Sequence, residues 1–176
     1  LMSTILTFSL AWSQVNTESM RGDNQSPGVT HNMRLNFSYF SGNSEIIQLM
    51  GSYQMDYRTN SNWYGFLAIR YNRAFEKDEE DFSNRGFVHF RAATPILDHT
   101  DIEGFMQMET NHYIELENRE LLGASIRINH FEELYLGLGI MYEMEKYTNN
   151  PLKHNFIKST NYVNYTINIL EIIELQ

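Results

Sequence analysis

The chain contains no cysteine, which excludes disulfide frameworks and thiolate metal sites. That absence suits an exported protein that needs no covalent staples, without requiring export. No run of about eighteen apolar residues occurs, so no membrane-spanning helix is encoded. A β-barrel has no such run either, because only every second residue of its strands meets lipid. The negative mean hydropathy of −0.43 is therefore no argument for solubility. Basic residues are few: 13 Lys and Arg stand against 22 Asp and Glu, for a net charge of −9. Binding to nucleic-acid phosphate needs a basic face, so nucleic acid is disfavoured as a partner. Non-specific attraction to anionic lipid is disfavoured by the same balance. Proline is rare, at three, and 176 residues suit one domain.

What the chain does have is aromatic residues and a two-residue rhythm. Eleven Tyr and eleven Phe favour strands. In 45–58 the odd positions read Ile47, Leu49, Gly51, Tyr53, Met55 and Tyr57, against Gln48, Ser52, Gln54 and Asp56 at even ones. Alternation of this kind gives a strand one oily and one wet face. The count repeats over about 31–41, from Trp63, and over 86–93, 101–113, 118–128, 133–146 and 157–169, with a ninth strand starting near Glu171. Pro95 is expected to end the fourth strand, because a central strand cannot lose its donor. Longer connections are expected at the acidic stretch 74–84 and at 147–155, with tight ones between. That parity matches the short periplasmic and longer external loops of outer-membrane barrels.

The polar faces hold too much charge for a packed soluble core. The pattern predicts an all-β, antiparallel, up-and-down transmembrane β-barrel with about eight strands visible and C-terminal strands missing. Lipid would meet Leu49, Tyr53, Trp63, Leu67, Ile69, Met106, Ile126, Leu138 and Ile140. The inward face would hold Arg34, Asp56, Arg70, Arg91, Glu103, Glu109, Arg127, Glu143 and Glu145. Buried charges must be paired, so an ion-pair network that plugs the lumen is the favoured reading, and a conducting path the next. His89 is expected to join that network, whereas His99, His130 and His154 fall at turns. Inward Gly123, Gly137 and Gly139 leave room that relieves crowding or lets the sheet curve.

Residues 1–13 read as the remnant of a signal peptide, with small Ala11 and Ser13 at the positions a signal peptidase inspects. A first buried strand is the alternative. Residues 14–30 form a polar leader, and 31–176 the barrel domain, C-terminally incomplete.

The span from Met33 to Tyr142 resembles the salt-induced outer-membrane protein family. The similar elements are Ser41-Gly42-Asn43, Phe105-Met106-Gln107, Arg119-Glu120-Leu121-Leu122-Gly123-Ala124 leading to Ile126-Arg127, and Leu136-Gly137-Leu138-Gly139. The resemblance implies a Gram-negative outer-membrane barrel with no established activity and no catalytic residue to carry over. The chain departs from such barrels in stopping at Glu174-Leu175-Gln176 rather than on a terminal aromatic.

The expected function is thus a non-enzymatic, structural or stress-linked barrel. Its partners would be outer-membrane lipid and the assembly machinery for such barrels, with a small solute in the lumen as a further option. A small pore is the alternative, and an outer-membrane lipid hydrolase a second. A soluble lipocalin-like binder is disfavoured by the charged inward face. For hydrolysis, His112 follows Asn111 with Glu109 nearby and His154 precedes Ser159, but no serine stands beside a histidine at a spacing that would bring the base to the hydroxyl. No phosphate loop, dinucleotide turn or calcium loop is present, so neither cofactor nor metal is expected.

Overall fold

The computed structural model describes residues 20, 26–77, 81–131 and 134–165. The expected signal remnant, nearly all of the leader before residue 26 and the ninth strand near Glu171 lie outside the described residues. The rest is an antiparallel up-and-down sheet. Its strands are β1 (Gly28–Phe40), β2 (Ile46–Arg58), β3 (Tyr64–Glu76), β4 (Asp81–Leu97), β5 (Thr100–Asn111), β6 (Leu116–Phe131), β7 (Leu134–Tyr147), β8 (Asn150–Ser159) and β9 (Tyr162–Tyr165). Each of β1 to β7 pairs with the next, and β9 pairs with β7. Among the described residues no strand pairs with the outer edge of β1, so the sheet is open.

Period-two patterning explains this order, because a strand with one apolar face extends the oily stripe of its neighbour only in one register. Tyr53 faces Ile69 across β2 and β3, Ile69 faces Val88, and Val88 faces Met108. The same row continues through Glu120 and Met144. Register shifts occur at 74/75, 95/97, 109/111, 116/118, 128/131 and 145/147, all near strand ends. Bulges belong at such rims, where they bend a sheet without disturbing its regular middle.

The sheet is strongly curved. Neighbouring strands lie about 4.8 Å apart, yet the Tyr162 hydroxyl, on β9, donates to Glu103 on β5 at 3.3 Å, past β6 and β7. Two glycines make the close approach possible. A Cβ at Gly137 would collide with the Tyr162 ring, and one at Gly123 with the ring of Phe105.

Several expected boundaries are corrected. Pro95 does not end β4 but lies within it opposite Asp101, beside the shift at 95/97 where a missing donor is tolerated. The acidic stretch 74–84 is largely strand, because Arg73 grips Asp81 at 2.9 Å and extends the hairpin. The stretch 147–155 is mostly β8, with only 148–149 between strands. Pro151 is accommodated because it sits at the start of that strand. β8 and β9 form one line along β7, held across the gap by Thr160 N–H on Gly139 O at 2.9 Å. Connections within the described residues run from two residues (98–99, 148–149 and 160–161) to five (41–45 and 59–63). The expected alternation of long and short loops is therefore not found.

Candidate functional site on the inner face

The inward rows of β4 to β9 bring ionised side chains into a buried layer. Glu103, projecting from β5, is a hub: its Oε2 accepts from Arg91 Nη1 on β4, from Ser125 Oγ on β6 and from Tyr162 Oη, each at 3.3 Å. Arg127 Nη1 stands 3.9 Å from its other oxygen. Arg127 also lies over the Tyr135 ring, 4.1 Å from its centroid, where the negative ring face attracts a cation.

Arg119 is the second hub. It holds Glu145 at 2.7 Å, Glu109 at 3.2 Å and Glu143 at 3.9 Å. Lys158 on β8 adds a contact to Glu143 at 2.7 Å, and the Tyr147 hydroxyl donates to Glu145 at 3.1 Å. The first hub has one carboxylate between two arginines, and the second has three carboxylates between two cations. Their opposite imbalances cancel across the face, which is how buried charge becomes tolerable.

Between the hubs is an aromatic layer. The His89 ring is stacked among Phe66, Phe87 and Phe105 at centroid distances of 5.4–6.1 Å. Its Nδ1 donates to Gln107 Oε1 at 3.1 Å, which sets the tautomer. His89 thus faces inward and joins Gln107, as a member of a neutral layer between the ion pairs. His154 is also displaced from its expected turn: it lies in β8 between Tyr147 and Phe156, with Asn150 3.1 Å from its Nε2. His99 does occupy a turn, at φ 61°.

Of the residues predicted to face inward, Arg91, Glu103, Glu109, Arg127, Glu143 and Glu145 meet in the two hubs. Asp56 lies apart, accepting from Gln54 Nε2 at 2.8 Å and the Tyr64 hydroxyl at 2.5 Å. Arg34 and Arg70 also lie apart, beside a cavity of about 600 Å³ at the β1–β4 end, together with Arg85, Ser52, Asn72 and Asn111. Arg119, like Arg85 at the cavity, is an inward residue that sequence reasoning misses. Its odd number on β6, in phase with Ser125 and Arg127, was the available signal.

The opposite face is apolar and open to its surroundings. Leu49, Trp63, Ile69, Met106, Ile126, Leu138 and Ile140 are all exposed there. Trp63 lies in the connection before β3 rather than in the strand. Tyr53 and Leu67 are half-buried, the former because its hydroxyl meets His31 Nδ1 at 2.9 Å and the two rings stack.

Among the described residues no three histidine or carboxylate side chains converge as metal ligands. Neither hub sets a serine or threonine hydroxyl beside a histidine base. The chain matches no family model, no curated protein and no solved structure.

Proposed function

We propose that the chain is an outer-membrane β-barrel protein of the salt-induced type, non-enzymatic, with a charged interior that its own ion pairs plug. The observation that carries this reading is an inversion of burial. Glu103 and Glu143 are 1% exposed, whereas Leu122 and Ile140 are 61% and 67% exposed. In water that arrangement would leave a large apolar surface bare, which soluble monomers avoid. In a bilayer it is the low-energy arrangement, with aliphatic side chains in hydrocarbon and polar ones facing the lumen.

Two further features support it. Strands of 12 to 17 residues from β1 to β7 exceed the roughly 9–11 that a tilted strand needs to cross hydrocarbon. The register shifts stay near the rims, where headgroups would be. Closure of the open edge belongs to this proposal, because unpaired backbone groups are not tolerated in lipid. So do the partners: lipid around the apolar face and the machinery that assembles such barrels. A narrow pore is the second reading, favoured by the cavity beside Arg34 and Arg70, which of the hub side chains only Glu109 lines.

Cell fractionation, with gel mobility compared before and after heating, tests the reading. The expected result is a membrane-pellet protein that migrates differently in the two lanes. A monomer that stays in the supernatant without detergent would sink it. Planar-bilayer recording separates the two readings, because a plugged barrel gives no steady conductance and a pore does.

A further inference from the structure

The cations at the β1–β4 end of the inner face differ from all the others. Arg34, Ser52 and Arg70 stand directly opposite one another across β1, β2 and β3. One row away, Asn72, Arg85 and Asn111 do the same across β3, β4 and β5. All six line the cavity of about 600 Å³. None of the three arginines has an ion pair or hydrogen bond among the described residues. The carboxylate nearest to them on the cavity wall, Glu109, is held by Arg119 at 3.2 Å.

Three unneutralised guanidinium groups around one hollow, in a chain of net charge −9, repel one another unless an anion joins them. The guanidinium fork matches phosphate or carboxylate oxygens two at a time. A second observation specifies more of the ligand. Asn72 Oδ1 and Asn111 Oδ1, on either side of Arg85, are buried and have no hydrogen-bond partner. A buried acceptor left unmade is costly, so these oxygens call for donors, which the ionised oxygens of an anionic group cannot be. Hydroxyl groups on the same ligand would supply them.

We propose that this end of the face binds a small anion bearing hydroxyl groups, of the sugar-phosphate class. Arg34, Arg70 and Arg85 take the anionic group, and Asn72 and Asn111 take the hydroxyls. The volume lies within the range of small-molecule sites. The inference rests on the proposed reading of this face as the wall of a lumen, so the test must separate the two.

Full-length protein refolded in detergent is first checked for the heat-dependent gel shift, which reports the barrel independently of any ligand. Calorimetric titration with glucose 6-phosphate, glucose and inorganic phosphate then reports the site. Glucose 6-phosphate should bind most tightly and glucose not at all. Arg70→Gln combined with Arg85→Gln should weaken it by about tenfold or more, the loss of charge-assisted bonds. Both side chains are exposed and unpaired, so the gel shift should persist. Asn72→Val should weaken glucose 6-phosphate by a larger factor than inorganic phosphate. Protein that shows the gel shift yet binds no phosphate ester, or binds it equally after the arginine changes, overturns the proposal. Vesicles containing phosphorylated lipid A form a separate arm. If they compete with the soluble probe, the natural source is a lipid headgroup, and if not, a free solute.

Discussion

The two halves of the inner face treat charge in opposite ways. From β4 to β9 every hub cation touches a carboxylate, and Arg91, Arg119 and Arg127 are all nearly buried. From β1 to β4 the arginines at the cavity are exposed and touch no carboxylate among the described residues. The difference follows from what stands opposite each cation in the register. Arg119 faces Glu109 on one side and Glu145 on the other, whereas Arg70 faces Ser52 and Phe87. One half is a closed structural network; the other keeps its charge available.

The sharpest way to break this contrast is Arg119→Met. It removes the cation from a side chain only 9% exposed, taking the ion pair from Glu109 and leaving Glu145 with the Tyr147 hydroxyl, while Glu143 keeps Lys158. Removing one partner of a buried pair costs about 3–5 kcal/mol, far more than the pair itself is worth. Urea unfolding in micelles should read that loss, and a cost below about 1 kcal/mol would show that water reaches the hub.

Gly137→Ala attacks the same half through shape. The added methyl meets the Tyr162 ring, whose hydroxyl reaches Glu103. Overpacking of this kind costs about 1–3 kcal/mol. The same unfolding experiment checks it, and a neutral result would place the ring elsewhere.

Arg70→Met is the counterpart in the open half. With no carboxylate to strand, it should change stability by about 0.5 kcal/mol or less. A loss as large as that of Arg119→Met would mean that Arg70 is paired in the assembled protein, and the contrast between the halves would vanish.

How far these halves could be read from sequence depends on the kind of signal. Strand identity and facing were legible because alternation alone sets them: Met106, Met108 and Leu122 stand on one face, with Glu103, Gln107 and Arg127 on the other. Loop lengths were not, because they depend on ion pairs between strands. Asp81 looks like part of an acidic loop until Arg73 is known to lie beside it. The partition of the charges was likewise illegible, since it needs the register. Arg70 and Arg91 look alike in sequence, but only Arg91 has a hub carboxylate within reach. The aromatic surroundings of His89 were illegible for the same reason: its neighbours in space, Phe66 and Phe105, are on other strands.

The smallest expected effect lies outside the strands and marks the lower limit of the contrast. Lys77 Nζ and Glu45 Oε2 form an exposed pair at 2.9 Å that joins two connections on one rim. Hydrogen bonding to Lys77 and its charge hold the Glu45 carboxyl below its usual 4.5, and the same contacts from Glu45 raise Lys77 above its usual 10.5. A depressed carboxylate contributes stability above its unfolded pKa and loses it as pH falls through the folded value. A raised lysine contributes below its unfolded pKa and loses it as pH rises through the folded one. Between those limits the pair is fully formed, yet solvent screens it and ordering two long side chains offsets its attraction. Lys77→Met should therefore leave the unfolding midpoint at neutral pH unchanged within error, while the same experiment on Arg119→Met moves it far. If Lys77→Met instead shifted the midpoint clearly, burial would not be what separates a structural charge from an incidental one in this sheet.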